Sequence, residues 1–495
     1  MRSTHLELGR RVTLRSQCRG VSLSCLPTRA FARTPPMMAR HPPRWRGRLL
    51  GRAAAERLRY LSRYGVTPIA DVGVSPPSTQ QFRRSVGPLQ RKVIFEVPGV
   101  TIEPSLAWLL HPLAVNTFLD KVWGTTHYHV KHRCASYFDA LLQAPSAIEE
   151  LLELFRGDPS TMHLLRGEDR KSGSDSYRLA DGSLDVARVR NDFADGYTII
   201  MGGVERYVPA IASLAHSIEV ELNYPIQVNA YITPPATHGL VPHYDDHDVF
   251  FLQVHGSKIW HLYDGPDVPP REMQPENNKA VAIDGLPLLT DLCLEVGDVL
   301  YLPRGQIHAA ETNSEPSAHL TVGLHPPTML TLAIAALSAQ RFHDDRLNAY
   351  LPPGHLDDAD VQATLGVLLR DAVKAVEDPS AIARGLDVLA DSLVHRGRCP
   401  PVEPASTAAP IDGQTLVRKY QPLYSRVQAV AGGVALRFAS LAVRAGADHE
   451  AAMQFISKSA EPFRVCDLPG LGAQEQIELA RTLIVGGFLI LLSDN

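Results

Sequence analysis

The stretch NAYITPPATHGLVPHYDDHDVFFLQVHGSKIW, residues 229–260, decides the fold. Short apolar runs alternate in it with Gly, Pro and Asp, which is the pattern of strands joined by tight turns. His255 and Gly256 separate two apolar runs and predict a hairpin. The segments that predict strands here and downstream are DVFFLQV (248–254), SKIWHLY (257–263), GDVLYLPRG (297–305) and HLTVGLH (319–325). Many short strands with tight turns predict a mainly β core, an antiparallel barrel or a jelly roll.

An H-x-D motif, His243-Tyr244-Asp245, lies within this stretch. Residues two apart on a strand point to the same face, so one imidazole and one carboxylate can converge on a single ion. His308, at the end of a later strand in LPRGQIH, is the best third ligand. Two histidines and one carboxylate form the facial triad of non-haem Fe(II) oxygenases. The alternative is a set of ordinary core or surface histidines, because the chain has 20 His.

His247 is a second possible partner of His243 in the same motif. Positions four apart on a strand share a face, but they lie about 13 Å apart at the usual strand rise. His247 is therefore expected behind the metal ligands or at the surface, and not on the ion.

A facial triad of this kind needs a co-substrate, usually 2-oxoglutarate, whose distal carboxylate requires a cation. Lys258 precedes the apolar pair Ile259 and Trp260 on a predicted strand. A lysine in such a strand either faces solvent or anchors an anion, and the spacing alone leaves both interpretations open.

Composition limits the class of protein. The chain has 495 residues, 45% hydrophobic and 21% charged, as in a soluble globular protein, and about 150 residues per domain suggests three domains. No apolar run reaches the roughly 20 residues that a membrane span needs. None of the six Cys forms a C-x-x-C pair, which favours a reducing compartment and predicts a cytoplasmic protein.

Charge is distributed unevenly along the chain. Residues 1–60 hold 14 Arg, no Lys and two acids, a net +12, so the remainder carries −16 against a total of −4. The acidic body disfavours a general nucleic-acid surface. The segment 1–88 is interpreted as a disordered extension, or as a start upstream of Met37 or Met38; a basic arm or a transit peptide is the alternative.

The pattern turns helical from about residue 327. PPVEPASTAAP (400–410) has the composition of a linker, and the last 85 residues are interpreted as helix, helix, short strand, helix, strand. The runs MLTLAIAAL and ATLGVLL, within 328–375, need a surface on which to bury their apolar stripes. They predict a homodimer.

The 229–260 stretch, GDVLYLPRGQIHAAET and HLTV resemble the JmjC-domain oxygenases, in the cupin-like ribosomal oxygenase branch. The specific features are an Asn fourteen residues before the first metal His, a cation fifteen after it, and L-P-R-G-x-x-H. The resemblance implies a double-stranded β-helix that binds Fe(II), 2-oxoglutarate and O2. The implied ligands of Fe(II) are His243, Asp245 and His308. The implied 2-oxoglutarate contacts are Lys258, at the distal carboxylate, Asn229 and Thr321.

The resemblance also implies a domain organisation. The expected parts are the extension 1–88, a JmjC/cupin-like catalytic domain at 89–330, a helical dimerisation region and linker at 331–405, and a winged-helix-like domain at 406–495. Residues 440–495 hold four basic and seven acidic residues, so direct binding of the last domain to DNA is not expected.

The expected function is Fe(II)- and 2-oxoglutarate-dependent hydroxylation of a protein side chain. Family members act on a histidine or an arginine of a ribosomal protein. The arginyl branch has Arg where this chain has Lys258, and the histidyl branch has a substrate-contacting Ser where it has Gly323, so the target residue stays open. The alternatives are an oxygenase acting on a peptide, a small molecule or an N-methyl group, and a non-catalytic cupin that serves as an interaction module.

Overall fold

The computed structural model describes residues 66–68, 104–132, 134–142, 147–157, 159–265, 286–399 and 410–492. Of the 1–88 extension it describes the short strand at 66–68 alone, and most of the 400–410 linker also lies outside these ranges. Within the described part of the chain, no helix is both long and apolar enough to cross a membrane.

The strands run mostly between residues 128 and 324 and again after residue 415. They are β1 (Val66–Pro68), β2 (Tyr128–Val130), β3 (Met162–Arg166), β4 (Asp169–Ser172), β5 (Thr198–Gly202), β6 (Ile226–Thr233), β7 (Asp248–His255), β8 (Lys258–Tyr263), β9 (Leu288–Leu294), β10 (Val299–Leu302), β11 (Ile307–Thr312), β12 (Ser317–Leu324), β13 (Leu416–Lys419), β14 (Arg426–Val430), β15 (Gly433–Phe438), β16 (Leu441–Ala445), β17 (Phe463–Arg464) and β18 (Leu489–Leu491).

The helices precede, separate and follow these strands. They are α1 (Leu106–Leu110), α2 (Val115–Lys121), α3 (Ala147–Leu154), α4 (Gly173–Ser176), α5 (Val186–Ala194), α6 (Pro209–Leu222), α7 (Met329–Gln340), α8 (Ala359–Val373), α9 (Pro379–Arg396), α10 (Glu450–Lys458) and α11 (Ala473–Val485). Single 3-10 turns lie at Pro159–Thr161, Val204–Arg206, Asp345–Asn348, Lys374–Val376, Ala447–His449 and Val465–Asp467.

Two antiparallel sheets form the β core. The major sheet has the order β2-β10-β7-β12-β6-β5-β3-β4, and the minor sheet has the order β11-β8-β9. Apolar side chains from β7 and β10 pack against side chains from β8 and β9, so the two sheets lie face to face. No pairing among the described strands closes them into a barrel. The result is an open double-stranded β-helix, as the sequence predicts.

Strand β7 shows why the major sheet is covered on both faces. Phe250 and Leu252 join the large core formed with the helices, whereas Val249 and Phe251 join the cluster between the sheets. Successive side chains of a strand point to opposite faces, so an unbroken apolar run fills two cores at once. The second face of β7 therefore lines the cleft between the sheets.

The predicted hairpin at His255-Gly256 is wrong. Strand β7 pairs with β10 and β12, while β8 pairs with β11 and β9, so the chain crosses here from the major to the minor sheet. Gly256 has a φ of 61°, and a Cβ at this position would meet the carbonyl oxygen of Pro316. The glycine is required for a close corner, and tertiary packing selects the corner over a hairpin.

The helix predicted at the start of the last 85 residues is also wrong, because strands β13 to β16 occupy residues 416–445. Ala, Leu and Arg in GVALRF favour a helix by propensity. The segment instead forms the central strand β15, buried from Val434 to Phe438, and such a strand lacks the alternation that identifies strands in sequences.

Helix α9 joins three parts of the molecule. It packs closely on α7, where a Cβ on Gly385 would lie 2.9 Å from the backbone nitrogen of Ala336. It is bound to the C-terminal segment by Asp387, which accepts from Arg426 at 2.6 Å. Its last residue, Arg396, reaches the beginning of β6, the strand that leads into the cleft.

Candidate metal centre

The loop before β7 and the beginning of β11 bring the three predicted metal ligands together. His243 and His308 form an antiparallel bridge, with the backbone nitrogen of each donating to the carbonyl of the other at 3.0 and 2.8 Å. One ligand atom of each of His243, Asp245 and His308 lies within 4.8 Å of the others. The structure thus places these donors around one point, as a metal ion requires.

Backbone carbonyls orient both imidazole rings. Nδ1 of His243 donates to the carbonyl of Val241 at 2.8 Å, and Nδ1 of His308 donates to that of Gln306 at 2.9 Å. These bonds fix the tautomer and leave Nε2 of each ring for an ion. Nε2 of His308 lies 3.8 Å from Oδ2 of Asp245, too far for a hydrogen bond and consistent with ligands around a shared ion.

Lys258 lies inside the cleft and not at the surface. Its side chain is buried, and Nζ donates to the hydroxyl of Thr233 at 3.0 Å and lies 5.9 Å from the centre of the Trp260 ring. Burial lowers the pKa of Lys258 to about 7. No ion pair between Lys258 and a carboxylate is found among the described residues, so its charge lacks compensation within them.

Further polar atoms in the cleft are buried without a hydrogen-bond partner among the described residues. They are Nε1 of Trp260, Nδ1 of His319 and Oγ1 of Thr321. The Trp260 ring lies 5.9 Å from that of His308 and 5.4 Å from that of His319. Buried polar groups are normally paired, so these atoms indicate space for a polar ligand next to the metal ligands.

His319 is a neutral group in this environment. Burial, the charge of Lys258 and the proximity of His308 hold the pKa of His319 well below its usual value. Its ring stacks on Tyr231 with centroids 5.0 Å apart and planes 8° apart. A neutral imidazole that is fixed by stacking can donate or accept one hydrogen bond without adding charge.

Asn229 lies next to Thr321, its partner across the β6–β12 ladder. Its Oδ1 accepts from the backbone of Gly203 at 3.1 Å and from Nε2 of Gln227 at 3.0 Å. Asn229 and Thr233 are four positions apart on β6, so at the usual strand rise their Cα atoms lie about 13 Å apart. Asn229 therefore lies away from Lys258, where it lines a cavity of about 260 Å³ that Gln227 and Tyr231 also line.

His247 is not among the grouped metal donors. Its Nδ1 is 2.9 Å from Oδ1 of Asp246, and its ring lies 4.3 Å from that of His325. The side chain contacts the far end of β12, beyond the metal ligands.

Three residues of the cleft were missed from the sequence: Thr233, Trp260 and His319. The available signal was strand alternation, because Lys258 and Trp260 share one face of β8, and His319 and Thr321 share one face of β12. Thr233 could not be found in this way. It matters because it contacts Lys258, which lies 25 positions further along the chain, and spacing alone does not reveal such a contact.

Two imidazoles and one carboxylate, with neighbouring polar atoms that need a partner, fit a non-haem Fe(II) site with open positions. The fold and this donor set define a metal-binding protein of the cupin class. The chain carries a JmjC domain, since residues 206–332 match the family model described as JmjC domain.

Two relatives with the same name match this chain over part of its length. The chain is 31% identical over 224 residues to the "Bifunctional lysine-specific demethylase and histidyl-hydroxylase NO66" of Drosophila mojavensis. The aligned region covers 44% of this chain and 24% of that protein. It is 29% identical over 227 residues to the protein of the same name from Dictyostelium discoideum, covering 44% of this chain and 42% of that protein. The chain thus matches less than half the length of either relative.

Solved structures give a weaker likeness. The ribosomal oxygenase YcfD from Escherichia coli, in complex with cobalt and 2-oxoglutarate, is 17% identical and covers 77% of this chain and 99% of that chain, with a TM-score of 0.48. At that score the likeness decides nothing about function.

Proposed function

We propose that this protein is an Fe(II)- and 2-oxoglutarate-dependent oxygenase that hydroxylates a side chain of a protein. The substrate that we propose is a ribosomal protein. One observation carries the proposal. The grouped donors His243, Asp245 and His308 share a cleft with the buried cation Lys258, which has no carboxylate partner in the described chain. A buried charge is costly unless it is paired, and a bound dicarboxylate would pair it.

Each side chain then has a role. His243, Asp245 and His308 hold the Fe(II), which, when bound, supplies activation of O2 coupled to oxidation of 2-oxoglutarate. Lys258 binds the distal carboxylate, and Thr233 holds its amino group in place. Trp260, His319 and Thr321 offer the polar atoms that a co-substrate can pair. The apolar cluster between the sheets, which includes Phe251, excludes water from this end of the cleft.

We assign the cavity that Asn229 and Tyr231 line to the substrate, and it fits a histidine better than an arginine. The cavity of about 260 Å³ beside Tyr231 is lined by Arg170 and Arg206, and no acidic side chain is among its described lining residues. A guanidinium would meet like charges there, whereas a neutral imidazole would not. The names of the relatives, histidyl-hydroxylase, agree with this choice.

The remaining expectations belong to the same proposal. We assign the catalytic domain to 89–330, the helical dimerisation region and linker to 331–405, and the winged-helix-like domain to 406–495. The substrate is a protein, and the chain acts as a homodimer. The prediction of a cytoplasmic protein, drawn from composition, stays a prediction.

The test is formation of succinate from 2-oxoglutarate by the full chain, with and without added Fe(II). It is followed by mass spectrometry of a pool of purified ribosomal proteins for a gain of about 16 Da, one oxygen atom. We expect iron-dependent succinate and one modified histidine. In His308→Ala both should disappear, because one of the three metal ligands is lost. The folded state, followed by circular dichroism, should survive, because the cores of both sheets are intact.

The outcomes separate the alternatives. Succinate without oxygen on any protein would favour a small-molecule substrate, and loss of a methyl group would favour demethylation. No succinate from the unaltered chain would identify a non-catalytic module. Full activity in His308→Ala would remove the metal assignment.

A further inference from the structure

One face of the major sheet carries a registered row of side chains that runs from the metal cleft towards the sheet edge. The row is His319 on β12, Tyr231 on β6, Ile200 on β5, His163 on β3 and Ser172 on β4, and each member pairs with the next across a strand ladder. Residues directly opposite each other in a ladder lie on the same face. The last four line the cavity of about 260 Å³, whereas His319 lies in the cleft. The cavity therefore begins one strand away from the cleft, on the same face.

Two arginines lie in the wall of this cavity. Arg170 is on β4, and Arg206 ends the 3-10 turn that follows β5. No acidic side chain is among the described lining residues. His163 adds no charge near neutral pH, because burial and the charge of Arg170 lower its pKa to about 4. The residues that line the cavity therefore carry a positive charge.

The guanidinium of Arg206 is oriented by two backbone carbonyls. Its Nε donates to the carbonyl of Gly203 at 3.2 Å, and its Nη2 donates to that of Gly202 at 3.0 Å. Gly203 has a φ of 72°, and a Cβ on it would meet the guanidinium. Glycine provides both this backbone conformation and the room for the side chain. Among the described residues no hydrogen bond from Nη1 of Arg206 is found, so this atom keeps its donors for a ligand.

Neither arginine forms an ion pair with a carboxylate among the described residues. Glu205 lines a separate cavity of about 320 Å³, and its Oε2 accepts from the backbone nitrogen of Val228 at 3.0 Å. Asp169, which precedes Arg170, accepts from the hydroxyl of Tyr197. The acidic side chains next to the two arginines in sequence are thus bonded elsewhere, and a carboxylate that enters the cavity would meet two cations.

We propose that Arg170 and Arg206 form a carboxylate-binding subsite of the substrate cavity, so that the preferred substrate carries an Asp or Glu near the side chain that is hydroxylated. The inference rests on the proposed oxygenase function and narrows its substrate class to histidines with an acidic neighbour. A carboxylate is favoured over an RNA phosphate, because the net charge of −16 beyond residue 60 disfavours a polyanion, whereas one carboxylate needs only these two cations.

The distance between the target and the arginines limits the position of the acid. In the major sheet β4 is the third strand from β6, so Arg170 lies about 14 Å from the strand of Tyr231 at the usual strand spacing. An extended chain covers this distance in about four residues. The acid is therefore expected within about four positions of the target side chain.

The test measures the oxygen that the full chain, supplied with Fe(II) and 2-oxoglutarate, adds to synthetic peptides. Mass spectrometry of the ribosomal protein pool first identifies the modified histidine, and the segment around it supplies the peptide. We expect an Asp or Glu within about four residues of this histidine. Replacing that acid by its amide should lower kcat/KM by about three- to tenfold, the effect of one charge-assisted contact that is partly exposed. The difference should shrink as salt is added.

Substitutions of the arginines test the pairing. Each variant is described by its preference, the ratio of kcat/KM for the acidic peptide to that for the amide peptide, so that a change at the iron site cancels. Arg170→Gln and Arg206→Gln should each bring this ratio closer to unity. Arg206→Glu should favour a peptide with Lys in place of the acid, because the charges of the pair are exchanged. Of the two arginines Arg206 alone also lines the cavity of about 320 Å³, so the effect of Arg170→Gln assigns the preference to the substrate cavity.

The matched control is Arg178→Gln. Arg178 is also exposed, and its guanidinium also donates to the carbonyl of a glycine four positions away, Gly182, at 2.9 Å. It is not among the residues that line the substrate cavity. The variant should keep the full preference for the acidic peptide.

Several results would overturn the proposal while the unaltered chain still forms iron-dependent succinate. They are a modified histidine with no acid within about four residues, an unchanged preference in both glutamine variants, and a pool in which no protein gains oxygen. Addition of oxygen that requires ribosomal RNA on the substrate would also overturn it, because the arginines would then bind a phosphate. Absence of iron-dependent succinate from the unaltered chain would instead refute the proposed function, and this inference with it.

Discussion

At the scale of single residues, the amino group of Lys258 gives the strongest support for a bound dicarboxylate in the cleft. It is charged at low pH, buried, and bonded to the neutral hydroxyl of Thr233. Burial lowers its pKa to about 7, so the unbound site holds a partly neutral amine near neutral pH. A carboxylate favours the charged form and would raise this pKa on binding.

We predict that Lys258→Ala raises the KM for 2-oxoglutarate by roughly ten- to a hundredfold, because a charge-assisted bond contributes about 1.5–3 kcal/mol. Lys258→Arg should be milder, since the charge is kept. An unchanged KM in Lys258→Ala would place this side chain outside the binding site.

The pH dependence is the second part of this prediction. Above about pH 7 the free amine is neutral, so binding of the dianion must take up a proton, and affinity should fall by about tenfold per pH unit. His319 faces the same region but stays neutral, because its pKa is held well below the usual value. Calorimetry at pH 8 in two buffers should detect the proton uptake in the unaltered protein and none in Lys258→Arg. Equal behaviour of the two would contradict the prediction.

Sequence reasoning named residues by their spacing, and not those that meet across strands. The H-x-D motif was expected on a strand, but His243 and Asp245 lie in the loop before β7, where only His243 forms a bridge. Lys258 was named from its place on a predicted strand, and it lies on β8. Which strands become neighbours decides where the ring nitrogens of Trp260 and His319 lie, for which the described residues offer no partner. It also decides the contact between His247 and Gly323. A single sequence does not contain that information in its local pattern.

At the scale of elements, helix α9 fixes the beginning of β6. The buried carboxylate of Glu219 accepts from Nδ1 of His216 at 2.8 Å, from the backbone of Ile226 at 3.1 Å and from Nε of Arg396 at 2.5 Å. Arg396 also donates to the carbonyl of Ile226. One carboxylate thus links α6, α9 and the strand that carries Asn229 and Thr233.

We predict that Arg396→Ala lowers the free energy of unfolding by about 3 kcal/mol, because the buried carboxylate of Glu219 loses its guanidinium partner. Burial raises the pKa of Glu219, but His216 and Arg396 outweigh it, so the net pKa is lowered. The stabilisation is therefore present above the unfolded value of 4.5 and is lost as the pH falls through the lower folded value.

Denaturant unfolding at neutral and acidic pH measures both effects. In Arg396→Ala the loss on acidification should begin at a higher pH, because one of the groups that lower the pKa of Glu219 is gone. Arg398→Ala removes an exposed arginine two residues away and should change little. Equal free energies of unfolding in Arg396→Ala and Arg398→Ala would show that the contact between Arg396 and Glu219 does not stabilise the fold.

Elements with a clear period were predicted well, and those defined by their partners were not. Strands β7 and β8 agree to within one residue with the predicted segments 248–254 and 257–263. The strand pair around Gly256 and the central strand β15 were misassigned, since pairing and burial on both faces are set by distant segments. Local propensity is a weak guide wherever tertiary packing decides.

At the scale of the whole molecule, the helices after the β core expose much apolar surface. No described residue of α8 is buried within the chain, and Leu368 and Leu369 are 57% and 66% exposed. Met329 and Ile334 of α7 are exposed as well. Monomeric proteins rarely expose contiguous apolar patches of more than a few hundred Å². This surface therefore supports the proposed homodimer.

We predict that the full chain behaves in solution as a two-fold symmetric dimer, with twice the 54.2 kDa mass of one chain. In the double variant Leu368→Asp with Leu369→Asp, two carboxylates replace exposed apolar groups of α8. It should become monomeric without loss of folded structure, because neither leucine is buried in the monomer. Leu179→Asp changes an exposed leucine outside these helices, so it should stay dimeric. Analytical ultracentrifugation at micromolar concentration distinguishes the two masses, and a monomeric unaltered chain would disprove the assembly.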